Sequence, residues 1–185
     1  MPDRIRNFLL FSAIGVISAC DAGIFIRVGN DYDEVEAEAL ALIDDVAALE
    51  DTAVADMPAG DAVYAGYFAG TVSIGADDED VVGDLDLTAD FDLETIDGTI
   101  DNLIGQTEGG IDGSLDLFNG DIVLNGFSAD IDGTMTLGIE DYDIEGSVLG
   151  TFKGDSADAL EGILGGDVYQ GADDVGDISG ALAAD

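Results

Sequence analysis

The sequence predicts an all-β protein: a single eight-stranded antiparallel, soluble β-barrel preceded by one N-terminal helix. Three observations predict it. From Tyr64 onward apolar and polar residues alternate with a period of two, the pattern of strands that bury one face. Clusters of turn-forming residues punctuate that pattern and mark off eight strands. Closing eight antiparallel strands on themselves removes the edges that an open sheet would expose.

The chain begins with Arg4 and Arg6, then an apolar run from Phe8 to Ala19. That run is far short of the roughly 20 residues that span a bilayer and has the proportions of a cleaved export signal. It closes on Val16-Ile17-Ser18-Ala19-Cys20, a small residue before the sole cysteine. This resembles the bacterial lipobox, with Ile17 where Leu is commoner; the thiol of Cys20 would be acylated and become the mature N-terminus. Residues 1–19 are therefore read as a lipoprotein signal peptide, 20–60 as a lipidated tether and acidic amphipathic helix, and 61–185 as the barrel.

The tether, Asp21 to Tyr32, carries a short apolar patch of Ile24, Phe25, Ile26 and Val28. A helix is expected over Asp33 to Glu50, where Val35, Ala39, Leu42, Val46 and Leu49 recur at three- and four-residue steps beside Ile43. Asp33, Glu34 and Glu36 occupy its first turn, where negative charge suits the helix dipole. Its apolar stripe is either a partner-binding face or, as we expect, a plug packed over one end of the barrel. Asp56-Met57-Pro58-Ala59-Gly60 breaks the chain before the strands.

In Asp84 to Phe91, the residues Leu85, Leu87, Ala89 and Phe91 share one face and Asp84, Asp86, Thr88 and Asp90 the other. Phe127, Ala129, Ile131, Gly133, Met135 and Leu137 form a second apolar face, and Tyr142, Ile144, Gly146, Val148, Gly150 and Phe152 a third. A phrase recurs: Ile96-Asp97-Gly98-Thr99-Ile100, Ile111-Asp112-Gly113-Ser114-Leu115, Ile131-Asp132-Gly133-Thr134-Met135 and Ile144-Glu145-Gly146-Ser147-Val148, with Leu160-Glu161-Gly162 as a looser copy. Asp-Gly ordinarily marks a hairpin. Turns at every copy would leave strands of about three residues, so these glycines are placed inside strands on the inward face, where bends help a small barrel close. Turns are expected at Gly75 to Asp80, Asp92 to Glu94, Gly105 to Gly110, Asn119-Gly120, Gly138 to Asp141, Asp155 to Ala159 and Gly171 to Asp174. A membrane barrel would put the polar faces inside, but eight strands leave no room there for so many carboxylates with so few cations.

The formal charge of −38 repels nucleic acid and bare anionic lipid. Loss of residues 1–19 would leave Arg27 and Lys153 as the only cations. With no His and one Cys, there is no imidazole ligand, no triad of the usual kind and no internal disulfide. Among so many acids no catalytic pair stands out, and no enzymatic activity is expected. No cofactor is expected either. Asp77-Asp78-Glu79-Asp80 and Asp173-Asp174 are solvated acidic loops that at most bind Ca²⁺ weakly. Asp141-Tyr142-Asp143-Ile144-Glu145-Gly146 opens like an EF-hand loop, but Phe152 stands at its twelfth position where a Glu is needed. Acids facing each other across strands destabilise the sheet unless salt or divalent cations screen them, which suits a saline medium. Lys153 is either an anion anchor or, more simply, the partner of a cross-strand acid. Tyr64, Tyr67, Phe68, Phe127 and Phe152 either line a pocket for an apolar solute or fill the core.

Several of these phrases resemble the β-barrel domain of the transferrin-binding protein B superfamily, surface lipoproteins of Gram-negative bacteria. They are Ala62-Val63-Tyr64-Ala65-Gly66-Tyr67, Gly83 to Phe91 followed by Ile96 to Ile100, Asn125-Gly126-Phe127-Ser128-Ala129, and above all Gly150-Thr151-Phe152-Lys153-Gly154-Asp155-Ser156-Ala157-Asp158-Ala159-Leu160-Glu161-Gly162. Lys153 replaces the usual aromatic, and Glu161 a glycine of a Gly-Gly pair. The resemblance covers Ala62 to the C-terminus. It implies lipid anchoring in the outer membrane, often at the cell surface, and a barrel that serves as a binding platform for a protein or solute, as in nutrient uptake. No ligand-binding residue carries over, nor does transferrin binding, because the connections here are short. The other readings are a structural acidic envelope lipoprotein with weak divalent-cation binding, and a lipocalin-like carrier of a small solute. The expected partners are thus the membrane, through the lipid on Cys20, and a protein or small solute. An acid at position 21 leaves inner-membrane retention open.

Overall fold

The computed structural model describes residues 32–185; Cys20, the export signal and the apolar patch at Ile24 to Val28 lie outside the described residues. Helix α1 (Tyr32–Ala47) and a single 3-10 turn (Val54–Asp56) precede β1 (Asp61–Ile74), β2 (Asp77–Asp90), β3 (Thr95–Gly105), β4 (Gly109–Gly110), β5 (Asp112–Val123), β6 (Gly126–Leu137), β7 (Glu140–Lys153), β8 (Ala159–Gln170) and β9 (Asp173–Ala184). The eight long strands run in the order β2-β1-β9-β8-β7-β6-β5-β3, all antiparallel, and pairing of β2 with β3 closes the ring. The two-residue β4 folds back on the end of β3 as a lip.

Alternation in the strands becomes inside and outside in the barrel. Leu85, Leu87, Ala89, Phe127, Ala129, Ile131, Met135, Ile144, Val148 and Phe152 all belong to one buried cluster in the interior. The intervening carboxylates face outward, as expected of a barrel surrounded by water. Among the described residues no helix is long and apolar enough to cross a membrane.

The Asp-Gly phrases do lie inside strands. A methyl group at Gly133 would collide with the Ser114 carbonyl oxygen and come within 2.8 Å of the Leu115 Cα on β5. The neighbouring strand passes too close there for any side chain, which is why glycine recurs.

Two expectations need correction. Asn119-Gly120 is no turn: β5 runs through it, and the register slips by one residue between Phe118 and Asp121, a bulge with Asn119 at φ +51°. The hairpin falls at Leu124-Asn125, between the paired Val123 and Gly126. Nor is α1 a plug. It ends at Ala47 rather than Glu50 and lies along the outer wall. Tyr32 and Val35 pack on Val82, Ile104 and Ala69, while Leu42, Ile43 and Val46 pack on Ala159 and Ala183. Small outward residues on β1, β8 and β9 leave a shallow track for its apolar stripe, and burying that stripe is what holds so short a helix.

The segment after the helix closes the barrel end instead. Asp51 bridges to Lys153, the Thr52 amide donates to the Phe152 carbonyl at 2.9 Å, and Met57 packs on the core. The Thr52 hydroxyl adds a 2.8 Å bond to the Gly154 carbonyl, so the linker is tied to both sides of the β7 terminus.

Candidate functional site

The interior is filled rather than hollow. Phe152 sits at the centre of an aromatic group, with ring centroids 6.0 Å from Tyr64, 5.1 Å from Phe91 and 5.5 Å from Phe127. Phe68 and Phe152 are wholly enclosed. The Tyr64 hydroxyl satisfies itself by donating to the Ala157 carbonyl at 2.7 Å, and burial, with Asp158 nearby, pushes its pKa up to about 12. Four of the five aromatic residues considered as pocket walls therefore build the core. Tyr67 does not; it points outward, where its hydroxyl donates to Glu38 of α1 at 3.1 Å.

The chemistry of this chain lies on its outer wall. Asp116, Asp132, Glu145, Asp167 and Asp177 stand directly opposite one another on five successive strands, β5 to β9, all exposed. Lys153 is the single cation among the described residues, and several carboxylates meet neutral donors instead. The Thr71 hydroxyl donates to Asp80 at 2.7 Å, the Thr136 hydroxyl to Asp141 at 2.8 Å, and the Gln170 amide to Glu140 at 2.8 Å. The Asn119 amide, set by its bulge, reaches Asp130 at 3.2 Å. Amides and hydroxyls here do part of the work that lysines and arginines do in most sheets.

Lys153 pairs as a core-flanking cation. Its Nζ lies 2.7 Å from Asp51 and 2.7 Å from Glu161. The hydrogen bond to Asp51, then that to Glu161, raises its pKa above the ordinary lysine value. It is buried and held between two carboxylates, so it is no anchor for an external anion. Glu161 lies on β8 opposite Thr151 and diagonal to Lys153, the cross-strand acid expected. The two positions that depart from the family phrase thus compensate each other: a cation in place of an aromatic meets an acid in place of a glycine.

Among the described residues no three Asp or Glu side chains are arranged to hold a metal ion. In the Asp77–Asp80 stretch, Glu79 accepts from the Thr107 amide at 2.7 Å and the Glu108 amide at 3.0 Å, capping the turn after β3, and Asp80 takes the Thr71 hydroxyl. Two of the four carboxylates are therefore spent within the protein. Asp173 and Asp174 begin β9 and pair with Gln170 and Tyr169. The Asp141 to Gly146 segment lies within β7 and forms no loop.

Shallow grooves are open to solvent. One of about 290 Å³ runs beside α1, lined by Ile43, Leu149, Thr151, Glu161, Ile163 and Ala181. Another, of about 190 Å³, sits at the open mouth over Val72, Ile74, Leu137 and Tyr142, with Asp77, Asp78, Glu79 and Glu108 at its rim. The first reaches Leu182 and the second Val72, both members of the buried interior cluster.

No family profile and no curated protein matches the sequence. Solved structures do. A transferrin binding protein B mutant from Haemophilus parasuis Hp5, described as a vaccine antigen, superposes with a TM-score of 0.56 at 20% identity over 73% of this chain. The chain has the transferrin-binding protein B barrel fold. A double mutant of the same Haemophilus protein gives 0.52 at 19% identity over 73% of this chain. Isotype 1 transferrin binding protein B from serogroup B Neisseria meningitidis gives 0.54 at 19% over 72%. The match spans only 28%, 27% and 28% of those longer chains, and at this identity what is shared is the fold. The transferrin-binding-protein-B-like barrel supplies a rigid scaffold; its wall is this chain's own.

Proposed function

We propose that this chain is a non-catalytic envelope lipoprotein, held by a lipid on Cys20 in the outer membrane at or near the cell surface. Its barrel serves as a binding platform for a protein partner, in the manner of nutrient-uptake lipoproteins with this fold. The observation that carries this reading is the filled interior: with Phe68, Phe152 and Leu115 wholly enclosed, binding has to use the outer wall and the loops. The likeness to proteins named for binding transferrin supports a platform, and says nothing of which partner binds here.

A lipocalin-like carrier is disfavoured by the same packing. A structural acidic lipoprotein that gathers divalent cations weakly is favoured by one feature, the acidic row from Asp116 to Asp177. Protease shaving of intact cells tests the location, and Cys20→Ala tests the anchor. The variant is expected in the soluble fraction, and the parent is expected to be degraded on whole cells. A parent protected on whole cells and cleaved only after outer-membrane permeabilisation would remove the surface platform. Retention of the variant in membranes would remove the lipid anchor.

A further inference from the structure

The β5–β6 hairpin holds an unusual residue at its tip. With Val123 paired to Gly126, the loop is two residues long, and Leu124 takes its first position at φ +61°. Two-residue hairpins require positive φ there, and glycine, asparagine or aspartate normally provides it. A bulky leucine in this conformation is strained. It gains no packing in return, since Leu124 and its neighbour Val123 are each 67% exposed.

The adjoining β2–β3 turn repeats the pattern. Leu93 is 72% exposed, and the Ile122 amide donates to the Glu94 carbonyl at 2.8 Å, which sets this turn beside the hairpin. Both mounts are rigid. The Asp90 carboxylate accepts the Asp92 and Leu93 amides at 3.0 and 2.9 Å, and the Asn125 carbonyl accepts the Phe152 amide at 2.9 Å. Three apolar side chains are thus held out into solvent on fixed backbone, which lowers the entropy cost of contact. Around them stand the exposed carboxylates of Asp92, Glu94 and Asp121.

We propose that Leu93, Val123 and Leu124 form the contact knob of the platform, seated in an apolar socket of a protein partner whose rim is lysine- and arginine-rich. This rests on the platform reading above. Charge selects the occupant: a second copy, at −38, and an anionic bilayer are both repelled, whereas a basic rim pairs with the three carboxylates.

The test places a photo-crosslinking residue, p-benzoylphenylalanine, in the full-length lipidated protein in its own cells, at Leu93, Leu124, Leu149 or Ile139. Leu149 is an exposed wall residue, and Ile139, 92% exposed, lies in the β6–β7 turn at the opposite end of the barrel. The expected result is one protein adduct shared by positions 93 and 124 and absent at 139. Its cross-linked peptides should map to apolar residues flanked by Lys and Arg. Leu124→Gly should weaken the adduct at position 93 about tenfold, as loss of a contact hot spot does. It should leave the melting temperature of the purified protein unchanged or higher, because glycine relieves the strained backbone.

Protein adducts only at 149 or 139 would overturn the knob and leave the platform standing. No protein adduct at any of the four positions would overturn both. Adducts to lipid or to a second copy at 93 and 124 would overturn the knob, as would a lower melting temperature for Leu124→Gly, which would make Leu124 a structural residue.

Discussion

Asp84 of β2 and Asp101 of β3 stand directly opposite one another, and the side-chain amide of Asn102 donates to both, at 3.1 and 2.9 Å. A bulge produces the contact: the register slips between Val82 and Asp84, and Asn102 takes φ +49°, which turns its amide back over the two carboxylates. Burial, then Asp84, then Asp86 raise the pKa of Asp101. Asn102→Gly keeps the backbone conformation and removes the bridge. It should cost about 1 kcal/mol in denaturant unfolding at neutral pH. Because the folded pKa of Asp101 is raised, repulsion is felt above that value and relieved as pH falls through it toward the ordinary 3.8. Stability of the parent should rise over that descent, and the variant's deficit should shrink.

The acidic row predicts a salt response. Glu145 faces Asp132 on one side and Asp167 on the other. Glu145→Gln relieves both contacts, a gain of about 0.2–1 kcal/mol each at low ionic strength. At about 1 M salt, where the screening length falls to about 3 Å, the gain should vanish. Melting curves of parent and variant across NaCl concentrations check this. Ca²⁺ and Mg²⁺ at equal ionic strength should stabilise the parent alike, since the row offers charge and no coordinating cage.

Lys153 predicts the alkaline limit. Its raised pKa means that the ion pairs stabilise the fold fully below the ordinary 10.5 and are lost as pH climbs through the higher folded value. Lys153→Met should cost about 1–3 kcal/mol at neutral pH and flatten the alkaline part of the stability profile. Chemical unfolding at neutral pH and above pH 10.5 separates the two. An unaltered alkaline slope in the variant would assign that limit to another group.

Gly133→Ala tests the strand glycines. The added methyl has no space before the Ser114 carbonyl, so β5 and β6 must separate locally. A loss of about 1–3 kcal/mol is expected, with the largest amide-exchange increase across that strand pair. Gly165→Ala, where nothing lies within 4 Å, is the control and should change stability little.

Much of this fold was legible from residue order. A period of two, maintained at Leu85-Leu87-Ala89 and from Phe127 to Met135, states which atoms must leave water, and a short antiparallel chain has few ways to enclose them. The glycine phrases were readable for the same reason, since strands between such closely spaced turns would have been too short to pair. The hairpin at Leu124 was not. Its leucine carries no turn signal, while Asn119-Gly120 carries a strong one that the sheet uses as a bulge. Local preference lost there to the register of β6 on β5, a property of two strands and not of one. The outer position of α1 was equally hidden, because its apolar stripe fits a wall or an end equally well.

Sequence alone determined the closed sheet, its inward and outward faces, and the acidity of the wall, because these follow from side-chain period and charge, which are written residue by residue. Only tertiary structure decided which acids face each other, that Lys153 serves Asp51 and Glu161 together, and that Leu93 comes beside Leu124. Those relations depend on register and closure, which bring together residues of different strands and loops, and no local pattern in the chain encodes them.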